Sequence, residues 1–293
     1  MKAIQTDWTR ALGAKEEPEP GALHDHLQEV HRRDPGFTER CARRCRDDSG
    51  RTSYEWLSEV AGRTRAPRIL DLACGSGFLI ATCLERYPQA ERIVGVDMSA
   101  TELALAHKRL PEDRVELFQA QADALTMLED ASMDAVLCHW ALTLMDPVEP
   151  VLAEIRRVLA PGGIFAAIVD GPATLAPGYE EIDAMIFERV GRAVPGYVDC
   201  DLGDPRVRTP AALEALCRGA FDSAQVEIQS AVFTLTGGSA QEVAREALGF
   251  YYAAYVLPAD SREALVGEIA RQLAQDGQAA SYSLPISRVL VRT

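Results

Sequence analysis

The stretch Ile69-Leu70-Asp71-Leu72-Ala73-Cys74-Gly75-Ser76-Gly77 decides the fold. It reads as a short buried strand that ends in an acid, then a glycine-containing turn, then a helix starting near Phe78. Glycines in such a turn remove the side chains that would keep a ligand off the backbone. The segment is therefore a candidate cradle for a nucleotide-like ligand.

Outward from that turn, strand and helix alternate, the pattern of βαβ units and a parallel sheet. Strand one lies near 68–73, and its helix, 77–87, stops before Pro88. Strand two is 92–97. Helix two runs from Ser99, a side chain suited to an N-cap, to Leu110 before Pro111. Strand three is 115–119, a short helix is expected after Asp123, and strand four is 133–138. A helix over 147–159 ends at Pro161-Gly162-Gly163 and leads into strand five, 164–170. Beyond Gly171 the rhythm loosens. Helices are expected over 180–190, 210–218, 239–256 and 260–275, with strands at 224–235 and 281–292. Residues 1–20, with their Lys-Glu-Glu-Pro-Glu-Pro run, read as loose, and 23–61 as broken helices.

The glycine spacing narrows the ligand. A dinucleotide fingerprint needs a third glycine three residues after Gly77, and Ile80 stands there. Asp71, just before the turn, would repel a pyrophosphate but suits a ligand carrying a sulfonium and an ammonium. Asp97 ends strand two, where an acid can accept both hydroxyls of a ribose. Gln121-Ala122-Asp123-Ala124-Leu125 follows strand three. Asp134 to Leu142 delivers His139 and Trp140 to the carboxyl edge of the sheet. Val151 to Gly163 reads V-L-A-E-I-R-R-V-L-A-P-G-G.

Taken in order over residues 68–170, these elements resemble the class I S-adenosylmethionine (SAM) methyltransferases, small-molecule type, similar to methyltransferase domains 11 and 25. Ala73 departs from the pattern, standing where that family usually has its first glycine. The resemblance implies an α/β fold with a Rossmann-like, seven-stranded doubly wound sheet whose strand seven lies beside strand five. It implies a helical N-terminal lid (1–62) on a SAM-binding domain (63–293), with cap insertions at about 171–223 and 237–277. It implies SAM as cofactor and S-adenosylhomocysteine as product. The cofactor would be held by Asp71, Ala73, Cys74, Gly75, Gly77, Asp97, Met98, Asp123, Ala124 and His139. Asp123 would receive the adenine amino group, though a helix N-cap is the plainer role for it. Gly50 to Tyr54 resembles the lid, so Arg51 could pair with the methionine carboxylate and Tyr54 could cover the methyl site. A surface Arg and a core Tyr are the alternatives. The Val151–Gly163 segment would be architectural.

Methyl transfer asks the protein to align and desolvate the acceptor, and sometimes to remove a proton. His139 is a base candidate because an unperturbed imidazole titrates near neutrality; it could equally shape the pocket. Asp170 is the second catalytic candidate, as a base or as an anchor for a cationic acceptor, or it could cap the turn at Gly171-Pro172. Phe250, Tyr251, Tyr252 and Tyr255 fall on an expected cap helix and could partly line an acceptor pocket. The acceptor is expected to offer oxygen or nitrogen, less readily carbon. An Ala/Arg/Asp-rich composition resembles that of a high-GC bacterium, which suggests natural product biosynthesis. A repurposed SAM-binding protein without methyl transfer, or an NAD-dependent oxidoreductase, are the rival readings. Ile80 and Asp123 argue against the second.

Composition bounds the partners. The 293 residues are 47% apolar and 25% charged, with a net charge of -14, ordinary for a soluble globular chain. That charge disfavours nucleic acid and anionic membranes. The arginines at 40, 43, 44, 46 and 51 are interleaved with Asp47 and Asp48, as on a solvated helix face. No apolar run has membrane-spanning length, and no signal segment opens the chain. Seven scattered cysteines fit reduced thiols in the cytoplasm. Cys41 and Cys45 could share a helix face, but no second pair completes a metal site, so none is expected. A small-molecule acceptor is the expected partner, and a homodimer is admissible.

Overall fold

The computed structural model describes residues 2–111, 113–274 and 280–293. Its helices are α1 (Asp7–Ala14), α2 (Ala22–Arg33), α3 (Phe37–Ala42), α4 (Ser53–Ser58), α5 (Phe78–Arg86), α6 (Ala100–Arg109), α7 (Glu149–Val158), α8 (Tyr179–Ala193), α9 (Pro210–Ala220), α10 (Ala240–Gly249) and α11 (Ala259–Leu273). Its strands are β1 (Arg68–Leu72), β2 (Arg92–Asp97), β3 (Glu116–Gln119), β4 (Met133–His139), β5 (Leu159–Asp170), β6 (Gln225–Thr236) and β7 (Ser281–Arg292). The chain divides into two compact units, one of residues 1–50, 173–201 and 232–284, the other of 51–172, 202–231 and 285–293.

The seven-stranded sheet has the order β3-β2-β1-β4-β5-β7-β6. Strands β1 to β5 run parallel and β7 runs antiparallel to β5. This is the Rossmann-like arrangement expected, with strand seven beside strand five. β1 and β4 are near-continuous apolar runs because helices cover both faces of a parallel sheet. Leu70, Leu72, Val136, Cys138, Phe165 and Ala167 form one core with Val151, Leu152, Ile155 and Val158 of α7. Burying those four α7 side chains is worth about 6–12 kcal/mol relative to leaving them exposed, so a charge at Ile155 would detach the helix. Ser99 caps α6 by accepting from the Glu102 amide.

In the other unit, the expectation that residues 1–20 are loose is corrected for residues 4–14. Thr6 and Thr9 form a capping box for α1. Trp8 is buried, stacked on His26 at 4.7 Å and edge-on to Tyr197 at 5.3 Å. The acidic Pro-rich run dominates the composition of this segment, yet two large apolar residues, Ile4 and Trp8, are enough to anchor it. Ile4, Val30, Phe37 and Tyr255 make a second core. The buried Cys41 and Cys45 sulphurs lie 3.8 Å apart.

Two further expectations are corrected. No helix follows Asp123; residues 121–125 form a turn. The 239–256 helix breaks after Gly249, with Tyr251 extended and a 3-10 turn over Tyr252–Val256. The expected C-terminal limits at 275 and 277 lie outside the described residues. No described helix is long and apolar enough to cross a membrane.

Candidate active site at the carboxyl edge of the sheet

All parallel strands end on one edge, where open α/β sheets bind ligands. β1 ends in Asp71-Leu72, and the chain then turns through Ala73, Gly75 and Gly77 with φ of 59°, 51° and 78°. Three left-handed residues in five give the turn its tight curl. A Cβ on Gly77 would lie 2.7 Å from Leu110 and 3.1 Å from Ala106, so the turn presses on α6 and that position must be glycine. Ala73 adopts the left-handed conformation despite its Cβ, at a cost of about 1–2 kcal/mol. That conformation accounts for the preference for glycine there, and the small alanine methyl keeps the cost bearable.

Asp71 is 2% exposed, and neither carboxylate oxygen has a hydrogen-bond partner. Burial, reinforced by repulsion from Asp97, pushes its pKa well above the usual carboxylate range. An orphaned buried carboxylate is rare in a folded chain and asks for a cationic partner. The donor set therefore fits a ligand that brings an ammonium or sulfonium to this edge.

Asp97 ends β2 and holds the turn. Its Oδ2 accepts the Gly75 amide at 2.8 Å, and its Oδ1 accepts the Ser99 amide at 2.8 Å. A carboxylate has about four acceptor sites, the inventory that an acid contacting ribose hydroxyls draws on. The Cys74 amide donates to Val96 O at 3.0 Å. Met98 is half-buried, and its carbonyl accepts from Gln119 Nε2 at 3.2 Å. Arg109 clamps the turn from α6, donating to Ser76 O at 2.8 Å and lying 5.3 Å from the Phe78 ring centre.

The 121–130 segment carries Asp123 and Ala124 exposed at the same edge. Two α7 side chains fix it. Glu154 accepts the Leu125 amide at 2.8 Å, and Arg157 donates to the carbonyls of Leu125 and Leu128, both at 2.9 Å, while pairing with Glu154 and Asp130. The segment read as architectural thus reaches the site through its Glu-x-x-Arg pair.

His139 ends β4. Its Nε2 shares a 2.9 Å hydrogen bond with Ser53 Oγ, and its ring stacks on Tyr54 with centroids 3.9 Å apart. Tyr54 also meets Phe78 edge-on at 4.7 Å. Burial pushes the His139 pKa down to about 3, so the ring is neutral at pH 7. Near-neutral titration, the ground for reading His139 as a base, is lost to burial, with Tyr54 stacked on the ring. Trp140 follows with φ of 61°, a backbone outlier of the kind that gathers at functional edges.

Arg51 lies beside α4 and pairs with Glu59 at 3.0 Å. Asp170 ends β5 and pairs with Arg208 at 3.0 Å. Burial raises the Asp170 pKa and Arg208 opposes the rise. The structure thus gathers Asp71, the 73–77 turn, Asp97, Met98, His139 and Tyr54 along one edge, with Asp123 on a separate turn and Asp170 bound to its own arginine. Ser53, Arg109, Glu154, Arg157 and Arg208 were missed in the sequence. The Thr52-x-x-Glu55 capping box, present in the structure, is the signal that could have marked Ser53 as the first residue of a helix.

A methyltransferase domain model matches residues 70–167. The chain is 32% identical over 174 residues to the demethylmenaquinone methyltransferase of Thermus thermophilus, covering 56% of this chain and 78% of that protein. It is 34% identical to the trans-aconitate 2-methyltransferase of Variovorax paradoxus over 42% of this chain, spanning 46% of that protein's length. Among solved structures, the 4+2 cyclase SpnF superposes with a TM-score of 0.58 at 17% identity, covering 94% of this chain and 96% of that one. At that identity the likeness speaks to fold.

Proposed function

The chain belongs to the class I SAM-dependent methyltransferases, and we propose that it transfers the methyl group to an oxygen or nitrogen of a small organic molecule, with a role in specialised metabolism in the cytoplasm. One observation carries the site assignment: the orphaned Asp71 carboxylate beneath a turn of three left-handed residues. It supports a cationic nucleoside ligand and would leave an NAD pyrophosphate facing an acid.

When bound, SAM supplies a methyl group already activated on a sulfonium. In our reading Asp71 faces the cationic part of the cofactor, and Ala73 to Gly77 offer bare backbone. Asp97 accepts from the ribose, with Met98 beside it. Asp123 and Ala124, steadied by Glu154 and Arg157, take the adenine. Tyr54, stacked on His139, screens the reacting edge from water, which strengthens each electrostatic contact there. Arg51, half-exposed on its ion pair, is placed to meet a carboxylate. Of the lid expected over residues 1–62, α4 carries the site residues.

The proton, where the acceptor has one to lose, is assigned to Asp170. Burial raises its pKa against the pull of Arg208, whereas His139, with its pKa pulled down to about 3, acts as a neutral hydrogen-bonding ring. Acceptor choice is assigned to the segments outside the matched domain, including 171–223 and 237–277.

Calorimetry with SAM, S-adenosylhomocysteine and NAD tests the cofactor; failure of the first two to bind at micromolar levels sinks the reading. Methyl-labelled SAM with phenols, amines, carboxylic acids and quinols tests transfer. The acceptors for which the relatives are named, demethylmenaquinone and trans-aconitate, belong in that panel. Binding of SAM without labelled product across the panel would support a SAM-binding protein that does not methylate.

A further inference from the structure

Arg288 is a buried cation on the sheet. It lies on β7, 7% exposed; among the described residues no carboxylate is in salt-bridge contact with it, and Glu59 and Glu227 act on it only at longer range. Its Nη1 donates to Trp56 O, its Nη2 donates to Gln229 Oε1, and its Nε has no partner. The guanidinium sits 4.3 Å from the Trp56 ring centre. Burial pulls its pKa down to about 10. Burying a charge without a counter-ion is costly, so an apolar side chain of the same length would hold this part of the core at least as well.

The register shows what the cation reaches. His139 of β4 faces Ile168 of β5, and Ile168 faces Arg288 of β7. Facing residues project from the same side of a sheet, so the three side chains form one row. Helix α4 crosses that row. Ser53, its first residue, bonds His139, and the carbonyl of Trp56 accepts from Arg288. A six-residue helix is far below the length that is stable alone, and its last carbonyls need partners. Tyr87 Oη supplies one, donating to Ser58 O at 2.7 Å. The Glu59 amide reaches Glu55 O and Leu57 O, and Arg288 supplies Trp56 O and adds a positive charge toward the negative end of the helix.

We propose that Arg288 is a positioning residue for the cofactor site: it clasps the C-terminal end of α4 so that Tyr54 and Ser53, at the other end, stay against His139. Gln229 orients the guanidinium. The inference rests on the SAM site assigned above, and the ligand-free measurement separates the two.

Three measurements on the full chain test it, with Arg288→Met and Arg288→Lys beside the unaltered protein. In Arg288→Met, amide hydrogen exchange over residues 53–58 should quicken about tenfold, the size of losing one charge-assisted cap, while the sheet keeps its protection. The Kd for SAM should rise by about tenfold as well, and Tm should hold or increase. Arg288→Lys, which can still reach the Trp56 carbonyl, should restore much of both. Unchanged exchange over 53–58 in the ligand-free protein overturns the clasp. So does a uniform loss of protection with a fall in Tm, which would make Arg288 an ordinary core residue. If the unaltered protein itself fails to bind SAM, the site assignment falls, while the ligand-free exchange comparison still decides the clasp.

Discussion

Asp71→Asn should stabilise the ligand-free protein and weaken its hold on SAM. In the folded chain the carboxyl is fully buried with both oxygens unpartnered, and its pKa is raised first by desolvation and then by Asp97. An acid whose pKa is raised on folding holds a proton that the unfolded chain releases. Stability is then lost as pH rises from the ordinary Asp range, 3.8, toward the folded value. At neutral pH the native state therefore bears a penalty that an amide of the same shape avoids. An unsatisfied buried polar group costs about 1–3 kcal/mol. Removing its charge should raise Tm by about 2–4 °C for each kcal/mol relieved. The cofactor side runs the other way. A hydrogen bond to a charged group is worth about 1.5–3 kcal/mol, so the Kd for SAM should rise about 10- to 100-fold. With SAM at 100 times the original Kd, ligand stabilisation is about 2.7 kcal/mol; a 100-fold weaker site would retain about 0.4 kcal/mol. Differential scanning fluorimetry with and without SAM reads both effects in one plate. A lower apo Tm together with an unchanged SAM-induced shift would refute the reasoning, because Asp71 would then be satisfied by the protein itself.

Three other outcomes are expected. His139 and His26 have pKa values pulled by burial from 6.5 to about 3 and about 4, so the native state disfavours their protonation and stability should fall as pH drops below about 6.5. Urea midpoints at pH 7, 5 and 4 measure this, and His139→Gln should make the decline shallower. Arg157→Ala removes one donor each from the Leu125 and Leu128 carbonyls and from Glu154, so these groups keep the Leu128 amide on Leu125 O and the Leu125 amide on Glu154; calorimetry should show SAM binding weakened by about 1–3 kcal/mol. Ala73→Gly relieves left-handed strain of about 1–2 kcal/mol against an unfolded-state entropy cost of about 0.4–1 kcal/mol. Tm should hold or rise slightly with SAM binding retained, and a loss of more than a few degrees would show that the methyl packs usefully.

The parallel half of the fold was legible because each strand there is an apolar run bounded by Pro, Gly or an N-cap. β1, α5, β2 and α6 fall within a residue or two of expectation. Asp71, the 73–77 turn and Asp97 were legible for the same reason: each follows directly from the end of a strand. Legibility failed where long-range partners decide. Nothing local in Ile4-Gln5-Thr6-Asp7-Trp8 announces that Trp8 will stack on His26. The turn at Asp123 reads like a helix start, yet it is held by Glu154 and Arg157 some thirty residues on, which supply its amide and carbonyl partners and leave no need for a helix. The neutral state of His139 depends on Ser53 and Tyr54 packing over it, and Arg288 is legible in sequence only as one more charged residue in a C-terminal strand.

Several locally unfavourable features of this chain lie along the sheet edge and the helix that crosses it. They are a left-handed alanine at 73, a left-handed tryptophan at 140, an orphaned acid at 71 and a buried cation at 288. Each could be relieved by one substitution without touching the rest of the core. Away from that edge, buried charges such as Glu39 and Asp204 have arginine partners. Unpartnered buried polar atoms also occur at His26 and Arg262, but among the described residues only Asp71 leaves both oxygens of a carboxylate unmatched, at the edge where open α/β sheets bind ligands. Asp71 and Arg288 differ in sign and in task. In the proposed site the acid would face the cationic part of the ligand with a carboxyl that the protein itself does not pair. The cation would hold the helix that carries Ser53 and Tyr54. Removing either charge should therefore move stability and cofactor affinity in opposite directions, a pattern that a purely structural residue does not produce.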